Sequence, residues 1–298
     1  VSVDHQTLDD IDQDPLMNSR IITRHNHLVK ICKQQNSTEN LKFTESHLYV
    51  DDPKEFLFCA VPGAMSSFLF QVIGSTTLRR LENGTAPPSD LNYRKQKLLM
   101  SYGLLSAHMK SKKSKMYLKS QDYHKALFVR NPFARILSIY LKIFKHGLAE
   151  RDRQIGILVK GIVAKRNIKN RAKRTKDAKS ITFETFVGFV LQKNNQVKHF
   201  WRPVVKSCAP CEMDYDYLGK IETLEGDLVF FLDTLSGYSE QPAINFQKVK
   251  SEIEATNNLM ESYWKSIPSE LLQKFTEAYK QDFITFGYSR DLQSYFLT

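Results

Sequence analysis

The sequence has no run of roughly 18 uninterrupted apolar residues of the kind a membrane-spanning helix needs. Its most hydrophobic window, Phe56 to Ile73, is broken by Pro62, Gly63 and Ser66-Ser67, so the chain as given reads as soluble. There is no initiator Met and no signal-like n- and h-region at Val1, which leaves a removed N-terminal anchor or targeting segment open. Cysteine is scarce. Four residues, Cys32, Cys59, Cys208 and Cys211, are too few for a disulfide scaffold but enough for two bridges in an oxidising compartment. Glycine and proline, at 12 and 10 in 298 residues, are too sparse for a collagenous or low-complexity chain. No internal repeat is visible, the GxxxxGK[ST] loop of nucleoside triphosphatases is absent, and no RNP, KH or zinc-finger pattern occurs.

What the chain has in excess is positive charge. Forty-three Lys and Arg against 32 Asp and Glu leave a formal charge of +11, which favours a polyanionic partner: nucleic acid, anionic lipid or an acidic glycan. From Lys160 to Lys179 there are nine Lys or Arg against a single acid, Asp177. Lys110, Lys112, Lys113, Lys115 and Lys119 form a second cluster. Each reads either as a solvated segment or as an electrostatic landing strip for an acidic polymer. Aromatic residues do not alternate with these charges, so specific nucleic-acid readout is not expected. Cys208-Ala209-Pro210-Cys211 is a CxxC, open to three readings: a redox pair, half a zinc site or a tight structural disulfide. No second CxxC or nearby His pair completes a zinc site, so no metal is expected. Asn36-Ser37-Thr38 and Asn83-Gly84-Thr85 permit glycosylation in a secretory compartment.

Two strand–turn–helix units stand out. Phe56-Leu57-Phe58-Cys59-Ala60-Val61 is a short apolar run ended by Pro62-Gly63, a buried strand entering a tight turn. Ser66-Ser67 then precede Phe68, Leu69, Val72 and Ile73, a spacing that suits a helix opened by a hydroxyl N-cap. This layout suits an anion site as well as an ordinary βα turn. In the second unit, Ala126 to Val129 reads as another buried strand, with Arg130 at its end and Pro132 in the first turn of a helix. Apolar residues at Phe133, Ile136, Leu137, Tyr140, Leu141 and Phe144 keep helical spacing. Arg130 at a strand end and Ser138 in the following helix can converge on one phosphate group. The C-terminal third reads as helical over Phe183–Leu191, Thr223–Leu235 and Ser269–Phe283, and a short helix is expected around Ile21 to Gln34.

Seven segments agree in order and spacing with one family. Cys59-Ala60-Val61-Pro62, Lys125 to Tyr140 (KALFVRNPFARILSIY), Ile181 to Phe186 (ITFETF), Trp201-Arg202-Pro203, Cys208 to Cys211, Tyr215 to Asp227 (YDYLGKIETLEGD) and Tyr279 to Tyr288 (YKQDFITFGY) resemble the Golgi carbohydrate sulfotransferases that include the chondroitin and dermatan 4-O-sulfotransferases. The resemblance implies an N-terminal extension over residues 1–50 and a sulfotransferase domain over residues 51–298. The implied fold is α/β and P-loop-like, a central parallel sheet flanked by helices with a helical C-terminal part. The implied donor is 3′-phosphoadenosine 5′-phosphosulfate (PAPS), with no metal. Its 5′-phosphosulfate would lie in the loop of Pro62, Gly63, Ala64, Met65, Ser66, Ser67 and Phe68, and its 3′-phosphate on Arg130 and Ser138. The implied acceptor is an acidic or amino-sugar polysaccharide such as a chondroitin, dermatan or heparan-like chain. The implied location is the Golgi lumen, as a type II membrane glycoprotein anchored by a segment outside this sequence.

Two places depart from the family pattern. Where the family has Pro-Lys, its lysine contacting the leaving phosphate, this chain has Pro62-Gly63, then Ala64-Met65 in place of Val-Gly. Either another lysine reaches in, or the protein is an impaired relative that binds glycan or donor nucleotide without turnover. The family's His-Trp-Arg-Pro segment becomes His199-Phe200-Trp201-Arg202-Pro203, one residue out of register. His199 and His108, the latter in a stretch where heparan 2-O-sulfotransferases carry a catalytic His, are the candidate bases. Glu222 and Glu225 match family acids and also suit a role as buried structural carboxylates.

Overall fold

The computed structural model describes residues 15–34, 48–51, 55–69, 72, 120–146, 150–169, 181–192, 198–234 and 246–296. His108, the Lys110–Lys119 cluster, both sequons and residues 170–180 of the basic run lie outside the described residues. In chain order the elements begin with α1 (Pro15–Gln34), β1 (Leu48–Asp51), β2 (Phe56–Cys59), β3 (His124–Val129) and α2 (Pro132–Leu141). There follow α3 (Glu150–Lys169), α4 (Phe183–Val190), α5 (Val204–Cys208), α6 (Pro210–Met213) and β4 (Tyr217–Lys220). The chain closes through α7 (Leu224–Thr234), α8 (Phe246–Trp264), α9 (Ser269–Ala278) and α10 (Lys280–Thr285). The fold divides into two compact units, one of residues 1–130, 204–249 and 285–287, the other of residues 131–203, 250–284 and 288–298.

The first unit holds a four-stranded sheet in the order β1-β2-β3-β4. β2, β3 and β4 are parallel, as expected from the sequence, and β1 joins β2 antiparallel at the edge. β2 is buried throughout, and β3 everywhere but its first residue, which is why both read as continuous apolar runs instead of alternating ones. On one face, Phe231 of α7 reaches Phe56, Phe128 and Tyr217 at ring distances of 5.4, 5.7 and 5.0 Å. One helix side chain therefore packs across three strands. α1 lies beside β4 and α7.

Two disulfides tie this unit together, Cys32–Cys211 and Cys59–Cys208. The CxxC is thus neither a redox pair nor half a zinc site, and its two cysteines do not bond each other. Ala209 between them has a left-handed φ of 42°, and each sulfur engages a distant segment. The bridges span 179 and 149 residues; in the chain-entropy view, loops of that size stabilise the fold by on the order of 3–5 kcal/mol each. α1 is also fastened by charge. The fully buried Asp227 of α7 pairs with Arg24 and, at 3.8 Å, with Arg20. It also accepts from Thr223 Oγ1 and the Lys220 main-chain N–H, both at 2.8 Å.

The second unit has an aromatic core built around α2. Asn131 caps the helix, its side chain accepting from the Phe133 and Ala134 N–H groups, and Pro132 occupies the first turn as the sequence predicted. The Phe133 ring meets Trp264, Phe275 and Phe283 at 5.0, 5.5 and 5.1 Å. One turn and more further on, Tyr140 packs against Phe183 and Phe186 at 5.2 and 5.6 Å. α2 gives way to a π-helical turn over Lys142–His146, earlier than the apolar spacing suggested. The helix expected over Ser269–Phe283 is two helices, broken at Tyr279. No helix among the described residues is long and apolar enough to cross a membrane.

A strict steric limit operates at Gly219 of β4. A Cβ there would lie 2.5 Å from Cδ1 of Phe128, whose ring is held by Phe58, Tyr217 and Phe231 and has no room to retreat. Gly219→Ala is expected to lower stability by about 1–3 kcal/mol, read as a lower denaturant midpoint with an unchanged slope.

Candidate functional site

Because β2, β3 and β4 are parallel, their C-terminal ends share one edge of the sheet, the edge where open α/β sheets bind ligands. Cys59 is level with Leu127, and Val129 with Lys220. Carrying the same register two residues on places Val61 in one row with Val129 and Lys220. The loop that leaves β2 therefore starts beside the end of β3, with the end of β4 one strand further on. Cys59 is bridged to Cys208 immediately before that loop, which fixes where the loop begins.

The loop opens with a tight turn in which the Ala64 N–H donates to the Val61 carbonyl at 3.1 Å. Gly63 has φ +82° and Met65 φ +50°, around a buried Ala64. Proline second and a left-handed glycine third fit a type II turn. Left-handed residues alternating in this way form main-chain concavities that suit anions, so the backbone fits a phosphate-bearing donor. Leu69 N–H then donates to the Met65 carbonyl at 3.0 Å, and Ser66 to Leu69 are helical. Pro62, Ser66 and Phe68 are half-buried, and Ser67 is exposed.

Two cations stand at the same edge. Arg130, only 3% exposed, directly follows β3, and Lys220 ends β4 half-buried. Burial lowers the Lys220 pKa, with Arg24 acting in the same direction and Glu222 and Asp227 opposing it. Glu222 and Glu225 are exposed, so the buried-carboxylate reading of either is corrected: the buried acid of this segment is Asp227. Only the pattern Thr223-x-x-x-Asp227 hinted at it, a hydroxyl one helical turn before the carboxylate it bonds.

The other candidates belong to the second unit. Ser138 is the one residue of α2 not fully buried. His199 lies in a 3₁₀ turn, Lys198–Phe200, half-buried, its ring 4.0 Å from that of Phe200. The chain after His199 is held by its carbonyls. Tyr279 Oη donates to the Trp201 carbonyl, and Arg135 Nη2 to the Arg202 carbonyl at 2.9 Å. Arg135 is 1% exposed and lies 3.7 Å from Asp282, itself buried. Burial lowers its pKa, with Tyr279 and Asp282 opposing, and burial first raises that of Tyr279. Arg135 and Tyr279 belong to motifs singled out in the sequence, but their part in fixing residues 201–202 was not foreseen.

A family model described as "Sulfotransferase family" matches residues 46–289. The chain is similar to carbohydrate sulfotransferase 9 of Homo sapiens, 27% identical over 89% of this chain and 59% of the relative. It is similar to carbohydrate sulfotransferase 12 of Mus musculus, 26% identical over 82% of this chain and 60% of the relative. A third relative is carbohydrate sulfotransferase 11 of Rattus norvegicus, 28% identical over 82% of this chain and 67% of the relative. The chain thus spans about 60% of the length of the first two. No solved structure matches it.

Two substitutions probe the frame of these segments. Gly63→Ala places a Cβ on a left-handed residue and is expected to lower stability by about 1–2 kcal/mol, read from the denaturant midpoint. Arg135→Met leaves Asp282 without its buried counter-ion and should lower stability by about 3–5 kcal/mol. Adding Asp282→Leu should recover part of that loss, because the deficit comes from the stranded charge.

Proposed function

The chain belongs to the sulfotransferase family, and from that membership we propose that it moves a sulfuryl group from PAPS to a hydroxyl of a glycosaminoglycan-like polysaccharide. One observation carries the reading: the left-handed turn after β2 and Arg130 after β3 stand side by side at the C-terminal edge of the sheet. Backbone N–H groups and a guanidinium there are the donors that phosphate groups require. The relatives' printed names, all carbohydrate sulfotransferases, support a carbohydrate acceptor.

In this reading PAPS supplies an activated sulfuryl group for in-line transfer, a chemistry that depends on positioning and charge stabilisation more than on covalent help. The Pro62–Phe68 loop holds the 5′-phosphosulfate end, and Arg130 the 3′-phosphate together with Ser138, the latter on the family resemblance alone. His108 or His199 accepts the acceptor's proton. Exposed Lys160 of α3 and the basic residues that follow it in sequence attract a chondroitin, dermatan or heparan-like chain. The two disulfides suit an oxidising compartment, consistent with a Golgi-luminal protein whose membrane anchor lies outside this sequence. The rival reading, binding without turnover, draws on Gly63, where the turn geometry excludes an easy return to lysine.

Calorimetric titration with 3′-phosphoadenosine 5′-phosphate (PAP) tests the donor site without needing the acceptor. Micromolar binding weakened by Arg130→Ala and by Ser138→Ala is expected. Folded protein that does not bind would overturn the transferase reading. Binding without sulfate transfer to any of the three glycan classes would favour the impaired relative.

A further inference from the structure

We propose that Lys220, at the C-terminal end of β4, is the cationic donor to the leaving 5′-phosphate, the role left open by Gly63. The inference rests on the sulfotransferase reading above.

The turn geometry makes the gap at position 63 real. At φ +82° a lysine there would be strained, so the charge must come from another element. In the row Val61–Val129–Lys220, extended from the observed register, Lys220 stands two strands from the start of the loop. Adjacent strands are about 4.8 Å apart, so the backbone gap is about 10 Å, most of which a lysine's four-carbon stem can span. Side chains alternate along a strand, which puts Lys220 on the same face of the sheet as Val61 and Val129.

The charged groups around Lys220 form a connected set. Arg24 donates to Asp227 and, at 2.8 Å, to Thr223 Oγ1. Arg20 lies 3.8 Å from Asp227. Asp227 takes the main-chain N–H of Lys220 at 2.8 Å, and Arg130 is assigned above to the 3′-phosphate. The charged groups facing the Lys220 ammonium are Glu222 from the 3₁₀ turn, Asp227 from α7 and Arg24 from α1. The position therefore combines a rigid strand end, partial burial and an ammonium, and partial desolvation strengthens its attraction to an anion.

In the transfer an S–O bond forms to the acceptor hydroxyl, whose proton passes to the base. The S–O bond to the 5′-phosphate breaks, and its electron pair leaves with the phosphate oxygen. Lys220 hydrogen-bonds that oxygen and keeps its own proton. Its lowered pKa means that the proton is lost as pH rises, at a lower pH than for an ordinary lysine.

Three measurements on the full chain test this. Competitive acetylation with acetic anhydride, read by mass spectrometry, should show Lys220 protected by saturating PAP about tenfold. Lys220→Met should weaken PAP binding about tenfold and reduce sulfate transfer from PAPS to chondroitin by roughly 10²–10³, with the melting temperature little changed. Lys220→Arg should keep PAP binding and move its alkaline loss to higher pH, which a purely structural lysine would not do. Wild-type protein that binds PAP while Lys220 acetylates at the same rate with and without it would overturn the proposal, whether or not the variants fold. So would a folded Lys220→Met that binds PAP like wild type. Wild-type protein that does not bind PAP would overturn the sulfotransferase reading itself.

Discussion

The Cys59–Cys208 bridge is the constraint from which the candidate site follows. Cys59 is the last residue of β2, and Cys208 ends α5, five residues after the Trp201-Arg202-Pro203 segment. A covalent bond at that point stops the strand end from fraying where a tight turn with two left-handed residues must begin. Left-handed conformations cost of order 1–2 kcal/mol at non-glycine positions, so Met65 needs a neighbourhood that over-determines its backbone. The bridge on one side and the fully buried Leu69 on the other supply it.

The second bridge and Asp227 serve the same sheet from its other side. Cys32–Cys211 and the Arg24–Asp227 pair both fasten α1 to the β4 side, one by connectivity and one by charge. Removing a carboxylate from water costs several kcal/mol unless its lone pairs are met. Here Oδ2 accepts from Arg24, a hydroxyl and a main-chain N–H, while Oδ1 has only the Arg20 guanidinium at 3.8 Å. That main-chain N–H belongs to Lys220, so the carboxylate that fastens α1 also fixes the end of β4.

Much of this was legible in the sequence, for identifiable reasons. β2 and β3 announced themselves because strands buried on both faces are continuous apolar runs, and Pro132 marked the start of α2 because first-turn preferences are local. The cysteine pairing was not legible, because a CxxC invites a local explanation while the real partners lie 149 and 179 residues away. β1 was missed because its four residues, Leu48–Asp51, carry too little pattern to separate from the polar stretch around them. The Arg135 and Tyr279 bonds to the carbonyls of residues 202 and 201 are long-range, and spacing along the chain does not encode which carbonyl a side chain will meet. Gly63 was read both as part of a tight turn and as a missing charge, and its positive φ, which the letter alone does not give, specifies what kind of turn it makes.

That conformation changes what the substitution means. A lysine in the loop holds an anion with a flexible side chain on a segment that must itself be positioned. A left-handed glycine holds it with main-chain N–H groups and, lacking a Cβ, lets the backbone come closer to the phosphate. The first arrangement brings its own charge and the second brings only dipoles. In the proposed transfer, a backbone concavity would hold the anion through dipoles alone and would leave the charge on the departing oxygen to be met from elsewhere. Strand ends are the stiffest places from which to meet it, since sites built on helices and strands are held more accurately than sites on loops. The edge that carries Arg130 and Lys220, one and two strands from the Gly63 turn, is built from strand ends of that kind.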